Sequence, residues 1–100
     1  MWFGPTPKKY EPSFWKIWRK LEIYINTMLE ENGVKGDLKT VYLNYAKTLL
    51  ANAIKTPRSI VDYVLEEIKR RYSEYHISRE THEHLIESIY LLIRSEVLGR

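Results

Sequence analysis

Residues 54–68 read IKTPRSIVDYVLEEI, and the punctuation inside this stretch decides the fold. Thr56 followed by Pro57 is a helix cap with proline at the first helical position, where the missing N–H costs nothing and φ is already set. Beyond it Ile60, Val61, Val64, Leu65 and Ile68 recur at helical steps, and Tyr72 and Tyr75 prolong the same side. The spacing predicts one amphipathic helix over 57–75.

The same grammar works outward in both directions. Asp37 caps a helix whose buried side is Leu38, Val41, Tyr42, Tyr45, Leu49, Leu50 and Ala53. Before it, Ser13 opens a run in which Phe14, Ile17, Trp18, Leu21, Ile25 and Met28 share one face, until Asn32-Gly33 stops it. Ser78 caps the last segment, whose stripe is Leu85, Ile89, Leu92 and Ile93, with Ile86 and Val97 at its edges. Helices are therefore expected at about 13–32, 37–55, 57–75 and 78–98, with no period-two strand pattern anywhere. The expected fold class is all-α, a compact four-helix bundle in which short connections favour antiparallel neighbours. Pro5, Pro7 and Pro12 forbid helix in residues 1–12, so this part is expected as an extended arm ahead of a single helical domain, 13–100.

Composition bounds the function. With 44% hydrophobic and 29% charged residues in 100, the chain has enough apolar surface for one folded domain. No apolar run approaches the roughly 18 residues that span a bilayer, and residues 1–20 lack the apolar core of a secretory signal. No membrane partner and a cytoplasmic location are the expectation. The absence of cysteine excludes disulfides and thiolate metal sites. The chain also lacks glutamine and is rich in Ile, Lys, Arg and Glu, a profile that leans toward heat-adapted proteins.

Charge is unevenly spread. Residues 1–58 carry ten basic and five acidic side chains, whereas residues 59–100 carry six basic and eight acidic. No carboxylate lies between Asp37 and Asp62, while Lys39, Lys47, Lys55 and Arg58 all fall in that gap. Lys39, Lys47 and Lys55 lie opposite the apolar stripe of their helix, and with Lys8, Lys9, Lys16, Arg19 and Lys20 they are expected to form one positive surface suited to phosphates. Residues 1–20 also hold all three tryptophans and both phenylalanines. Trp2, Phe3, Phe14 and Trp18 read as packing residues. Trp15 shares the polar side of its helix with Arg19, Glu22 and Asn26, and with Tyr10 it is a candidate for stacking on bases, a contact worth about 1–3 kcal/mol.

Catalytic constellations are weak. His82 and His84 sit about 200° apart on a helix and cannot chelate one ion together. Glu80, His84 and Glu87 share a face, and the Glu30-Glu31 and Glu66-Glu67 pairs point about 100° apart, which makes no acid/base dyad. RYSEYH, Arg71 to His76, is similar to the Arg-x4-6-His motif of HEPN-type ribonucleases, which implies an RNA-cleaving pair at a dimer interface. Here the arginine ends a helix and the histidine follows in a turn, a departure from that family's placement. YHISRET, Tyr75 to Thr81, resembles the turn and reading helix of helix-turn-helix DNA-binding proteins, which implies Ser78, Arg79 and Thr81 at the backbone and bases. Tyr72 and His82 depart from that pattern, and Glu80, Glu83 and Glu87 would face phosphates with the wrong sign.

The sequence thus points to a non-enzymatic nucleic-acid-binding protein without cofactor or metal, a subunit of a nucleoprotein assembly. Lys8, Lys9, Lys16, Arg19, Lys20, Lys39, Lys47, Lys55 and Arg58 are its expected phosphate contacts. The alternative expectation is a structural module that self-associates, or docks on a protein partner, through the N-terminal arm, with Leu43 and Leu91 as off-stripe interface residues.

Overall fold

The computed structural model describes residues 12–55, 58–72 and 77–97. They form four α-helices, α1 (Pro12–Glu31), α2 (Gly36–Lys55), α3 (Arg58–Lys69) and α4 (Arg79–Val97), with no strand among the described residues. The all-helical class expected from the sequence is the observed one. The arm before Pro12, the Thr56-Pro57 boundary and Tyr75 lie outside the described residues.

Local chemistry explains where the helices stop. α1 closes at Gly33, whose φ of +77° is open to glycine at little cost. The N–H of Gly33 donates to the Glu30 carbonyl at 3.0 Å and that of Val34 to the Leu29 carbonyl at 2.9 Å. This double closure satisfies two terminal carbonyls and turns Val34 into the core, where it is buried. α4 starts as expected: the Thr81 N–H donates to Ser78 Oγ at 3.2 Å and the His82 N–H to the Ser78 carbonyl at 3.0 Å.

α3 is shorter than its apolar period predicts. It ends at Lys69, where the Arg71 N–H bonds the Ile68 carbonyl at 3.1 Å and tightens the last turn. Tyr72 follows, half-buried, beyond the helix. Apolar residues past a helix end can still face the core, so period alone overran the boundary.

Pair contacts set the topology. Lys39, early in α2, meets Glu30, late in α1; Lys20 of α1 meets Glu96 at the end of α4. Asp62, early in α3, accepts from Tyr90, late in α4. Each of these helix pairs is therefore antiparallel. Tyr42 and His82 join the starts of α2 and α4, which run parallel and meet across the centre of the bundle. α1 lies on one side of that central pair and α3 on the other.

The core is continuous from Phe14 and Trp18 of α1 through Tyr42, Tyr45, Leu49 and Leu50 of α2 to Ile68 of α3 and Leu85, Ile89 and Ile93 of α4. Leu29, Ala46, Ala51, Ile86 and Tyr90 are also buried, whereas Ile60 is 46% exposed. Among the described residues, one polar side chain outside the tyrosines is buried with them. His82 is fully enclosed, its Nδ1 2.7 Å from Tyr42 Oη and its Nε2 2.7 Å from the Ile68 carbonyl. A carbonyl only accepts, so Nε2 carries the proton and Nδ1 accepts from the tyrosine hydroxyl. The imidazole thereby ties the starts of α2 and α4 to the end of α3.

Candidate nucleic-acid interface

Trp18 anchors the first turns of α1. It is buried and stacks on Phe14, with ring centroids 6.1 Å apart and planes 11° from parallel. Both behave as the packing residues that the sequence indicates. Trp15, one position on from Phe14, meets that ring edge-on at 5.0 Å yet remains 43% exposed. Lys16, Arg19 and Lys20 are exposed in the same two turns.

Two lysines of the expected positive surface face carboxylates. Lys39 is half-buried and donates to Glu30 Oε2 at 2.8 Å, so the countercharge that α2 lacks comes from α1. The hydrogen bond and charge of Lys39 hold the Glu30 carboxyl below the usual glutamate range. Lys20 lies 3.2 Å from Glu96, on the α4 side of α1. Lys47 is not opposite the apolar stripe either: it is half-buried, with its Nζ 5.6 Å from the Trp18 ring centre. A cation over an indole face is held there by the ring quadrupole.

The antiparallel register separates these groups into two ends. Lys39 and Glu30 sit at the far end of the α1–α2 flank. Lys47 lies beside Trp18, and Lys55, exposed, is carried on toward the start of α1. At roughly 100° per residue, Trp15 and Arg19 project from α1 on the side that faces α2. Trp15, Arg19, Lys47 and Lys55 therefore lie on the α1–α2 flank, toward the start of α1. Lys8, Lys9 and Tyr10 lie outside the described residues, as does the Arg58 side chain.

Further charged groups of α3 and α4, with the turn after α3, pair with one another. Lys69 bonds Glu87 and lies 3.9 Å from Glu66; Arg70 pairs with Glu67, and Arg79 with Glu83 at 3.1 Å. Partial burial works against the charged form of Lys69. The hydrogen bond and charge of Glu87, with Glu66 and Glu83 near, outweigh it and raise the ammonium above the usual lysine value. Glu87 is thus engaged by Lys69 rather than joined with Glu80 and His84, and no group of three metal-ligating side chains occurs among the described residues. His76 of the ribonuclease-like hexapeptide lies outside the described residues. No helix among those described is long and apolar enough to cross a membrane.

A second surface escaped the sequence reading. Ile23 is 67% exposed, Tyr24 52% and Leu91 60%, and together with Met28 and Leu92 they line an open apolar groove between α1 and α4. Leu91 stands out in the sequence as an off-stripe leucine. Ile23 and Tyr24 are two apolar residues off the Phe14–Met28 stripe, and that was the signal available. Leu43, the other off-stripe leucine, is half-buried against the core. No family model matches this chain, and neither curated proteins nor solved structures gave a match.

Proposed function

We propose that this protein binds nucleic acid, without catalysis, through the arm-proximal end of the α1–α2 flank. The observation that carries the reading is Trp15, held edge-on by Phe14 with 43% of its surface exposed, on the flank that also carries Arg19, Lys47 and Lys55. Single strands are gripped by cations tracking the phosphates and aromatic rings stacking on bases. This flank supplies both, and Lys8, Lys9 and Tyr10 extend the same chemistry along the chain. Arg19 and Lys55 serve as phosphate contacts and Trp15 as the stacking platform. Lys47 adds charge at the rim, its Nζ 5.6 Å from the Trp18 ring centre. Lys20 and Lys39 contribute less, because each already faces a carboxylate. The contact is directed at the backbone, so it is salt-dependent and weakly sequence-specific.

The test is a titration of tryptophan emission with single-stranded and then duplex oligonucleotides at low and moderate salt. Saturable quenching is expected, weakening with salt, and stronger for the single strand. Trp15→Ala should cost about 1–3 kcal/mol of binding. Arg19→Ala with Lys55→Ala should flatten the salt slope by about 0.7 per lost contact on single strands. Lys39→Ala should leave affinity unchanged. No binding at low salt, or binding indifferent to Trp15, Arg19 and Lys55, refutes the proposal.

A further inference from the structure

We propose that the α1–α4 groove is a two-fold interface between two copies of this chain. At roughly 100° per residue, Lys16, Lys20, Ile23, Tyr24, Thr27 and Glu31 fall within about 100° of arc on α1. That stripe is basic at its start, apolar at its middle and acidic at its end. The apolar middle is the exposed lining of the groove, with Leu91 of α4 beside it.

This order is self-complementary. A two-fold axis between Ile23 and Tyr24 lays α1 antiparallel to the partner's α1. Ile23 then faces the partner's Tyr24, and Lys16 faces the partner's Glu31. Each contact occurs twice, as an isologous interface requires. α4 runs antiparallel to α1 and brings Leu91 beside the apolar middle of the stripe, while its Glu96 pairs with Lys20 at the basic end. Neither Lys16 nor Glu31 forms an ion pair with another described residue, so both charges are available to a partner.

The surface is distinct from the proposed nucleic-acid flank, which faces α2, so it is tested with no nucleic acid present. Sedimentation equilibrium on the full chain, from low micromolar to millimolar concentration, should show a monomer–dimer equilibrium with nothing larger. Leu91→Glu, a change at an exposed position, should weaken association about thirty-fold or more, the loss expected at the centre of an interface. Lys16→Glu and Glu31→Lys should each weaken it about five- to ten-fold, as like charges meet twice. An equimolar mixture of those two variants should form heterodimers as tight as the parent, since both charge contacts are then attractive again. Far-UV circular dichroism and the unfolding midpoint verify that each variant stays folded, and the charge-reversed mixture decides the matter if Leu91→Glu does not.

A monomer at every concentration overturns the proposal. So does a dimer indifferent to Leu91→Glu and to both reversals. A monomer that dimerises only after residues 1–11 are removed assigns the groove to the arm, and that result also overturns it.

Discussion

Replacing Tyr42 with phenylalanine removes one oxygen atom from the centre of the bundle, and its cost follows from the hydrogen bonds of His82. Tyr42 and His82 are both fully buried. The tyrosine hydroxyl donates to Nδ1 at 2.7 Å, and Nε2–H donates to the Ile68 carbonyl at 2.7 Å. Tyr42→Phe leaves Nδ1 as a buried acceptor with no donor, a loss of about 1–3 kcal/mol. His82→Leu takes this acceptor away from the tyrosine hydroxyl, while the Ile68 carbonyl keeps its bond from the Arg71 N–H at 3.1 Å. The double variant loses the same bond only once and leaves no Nδ1 behind. Its destabilisation should therefore fall short of the summed singles by about 1–2 kcal/mol. The assay is urea unfolding followed by far-UV circular dichroism. In thermal melts each kcal/mol should appear as about 4–8 °C in Tm for a domain of this size. Additive singles would refute the network, and so would Tyr42→Phe within about 0.5 kcal/mol of the parent.

Three further outcomes are expected. Gly33→Ala should cost about 1–2 kcal/mol through backbone strain alone, because φ is +77° and an added Cβ meets nothing within 4 Å; its unfolding midpoint measures this. Ser78→Ala should lose about 1 kcal/mol with the α4 cap, visible in the same melt, and Ser78→Asp should recover most of it. The Glu30 carboxyl, lowered by Lys39, contributes stability that is full above the unfolded glutamate pKa and is lost as pH falls through the lower folded value. Carbon-detected NMR titration should show Glu30 returning to the ordinary glutamate range in Lys39→Ala, and no movement there would contradict the pairing.

Local signals carried the fold and non-local ones escaped. The stops at Asn32-Gly33 and the cap at Ser78 were legible because they depend on residues within a turn of each other. The burial of His82 was not legible: its partners are Tyr42, forty positions away, and a backbone carbonyl that no side-chain pattern reveals. The carboxylate partners of two lysines of the basic surface were hidden for the same reason. Lys39 looked unopposed within its own helix, yet its countercharge sits nine residues back on α1, and that of Lys20 lies at the end of α4. Trp15 was read correctly, because an indole among Arg19, Glu22 and Asn26 is off the core face whatever α1 packs against. Its exposure is a property of one helix, whereas the pairing of charges belongs to the assembled bundle.

α1 occupies one side of the central α2–α4 pair, and this leaves it two flanks with opposite chemistry. On the α2 flank stand Trp15 and Arg19, the ring and charge of the proposed nucleic-acid contact. On the α4 flank, Ile23, Tyr24 and Leu91 offer apolar area. Salt acts on the two in opposite senses. Phosphate contacts release condensed counterions, so rising salt weakens them steeply. Apolar burial is strengthened by excluded salts such as sulfate. Raising ammonium sulfate at fixed protein concentration should therefore tighten the dimer while it strips off the oligonucleotide, with only the Lys16–Glu31 contacts resisting the first trend. Two curves moving apart would place the activities on separate flanks of one helix. Two curves falling together would mean that association is itself electrostatic, carried by charge rather than by the groove, and the two-fold arrangement centred on Ile23 and Tyr24 would be wrong.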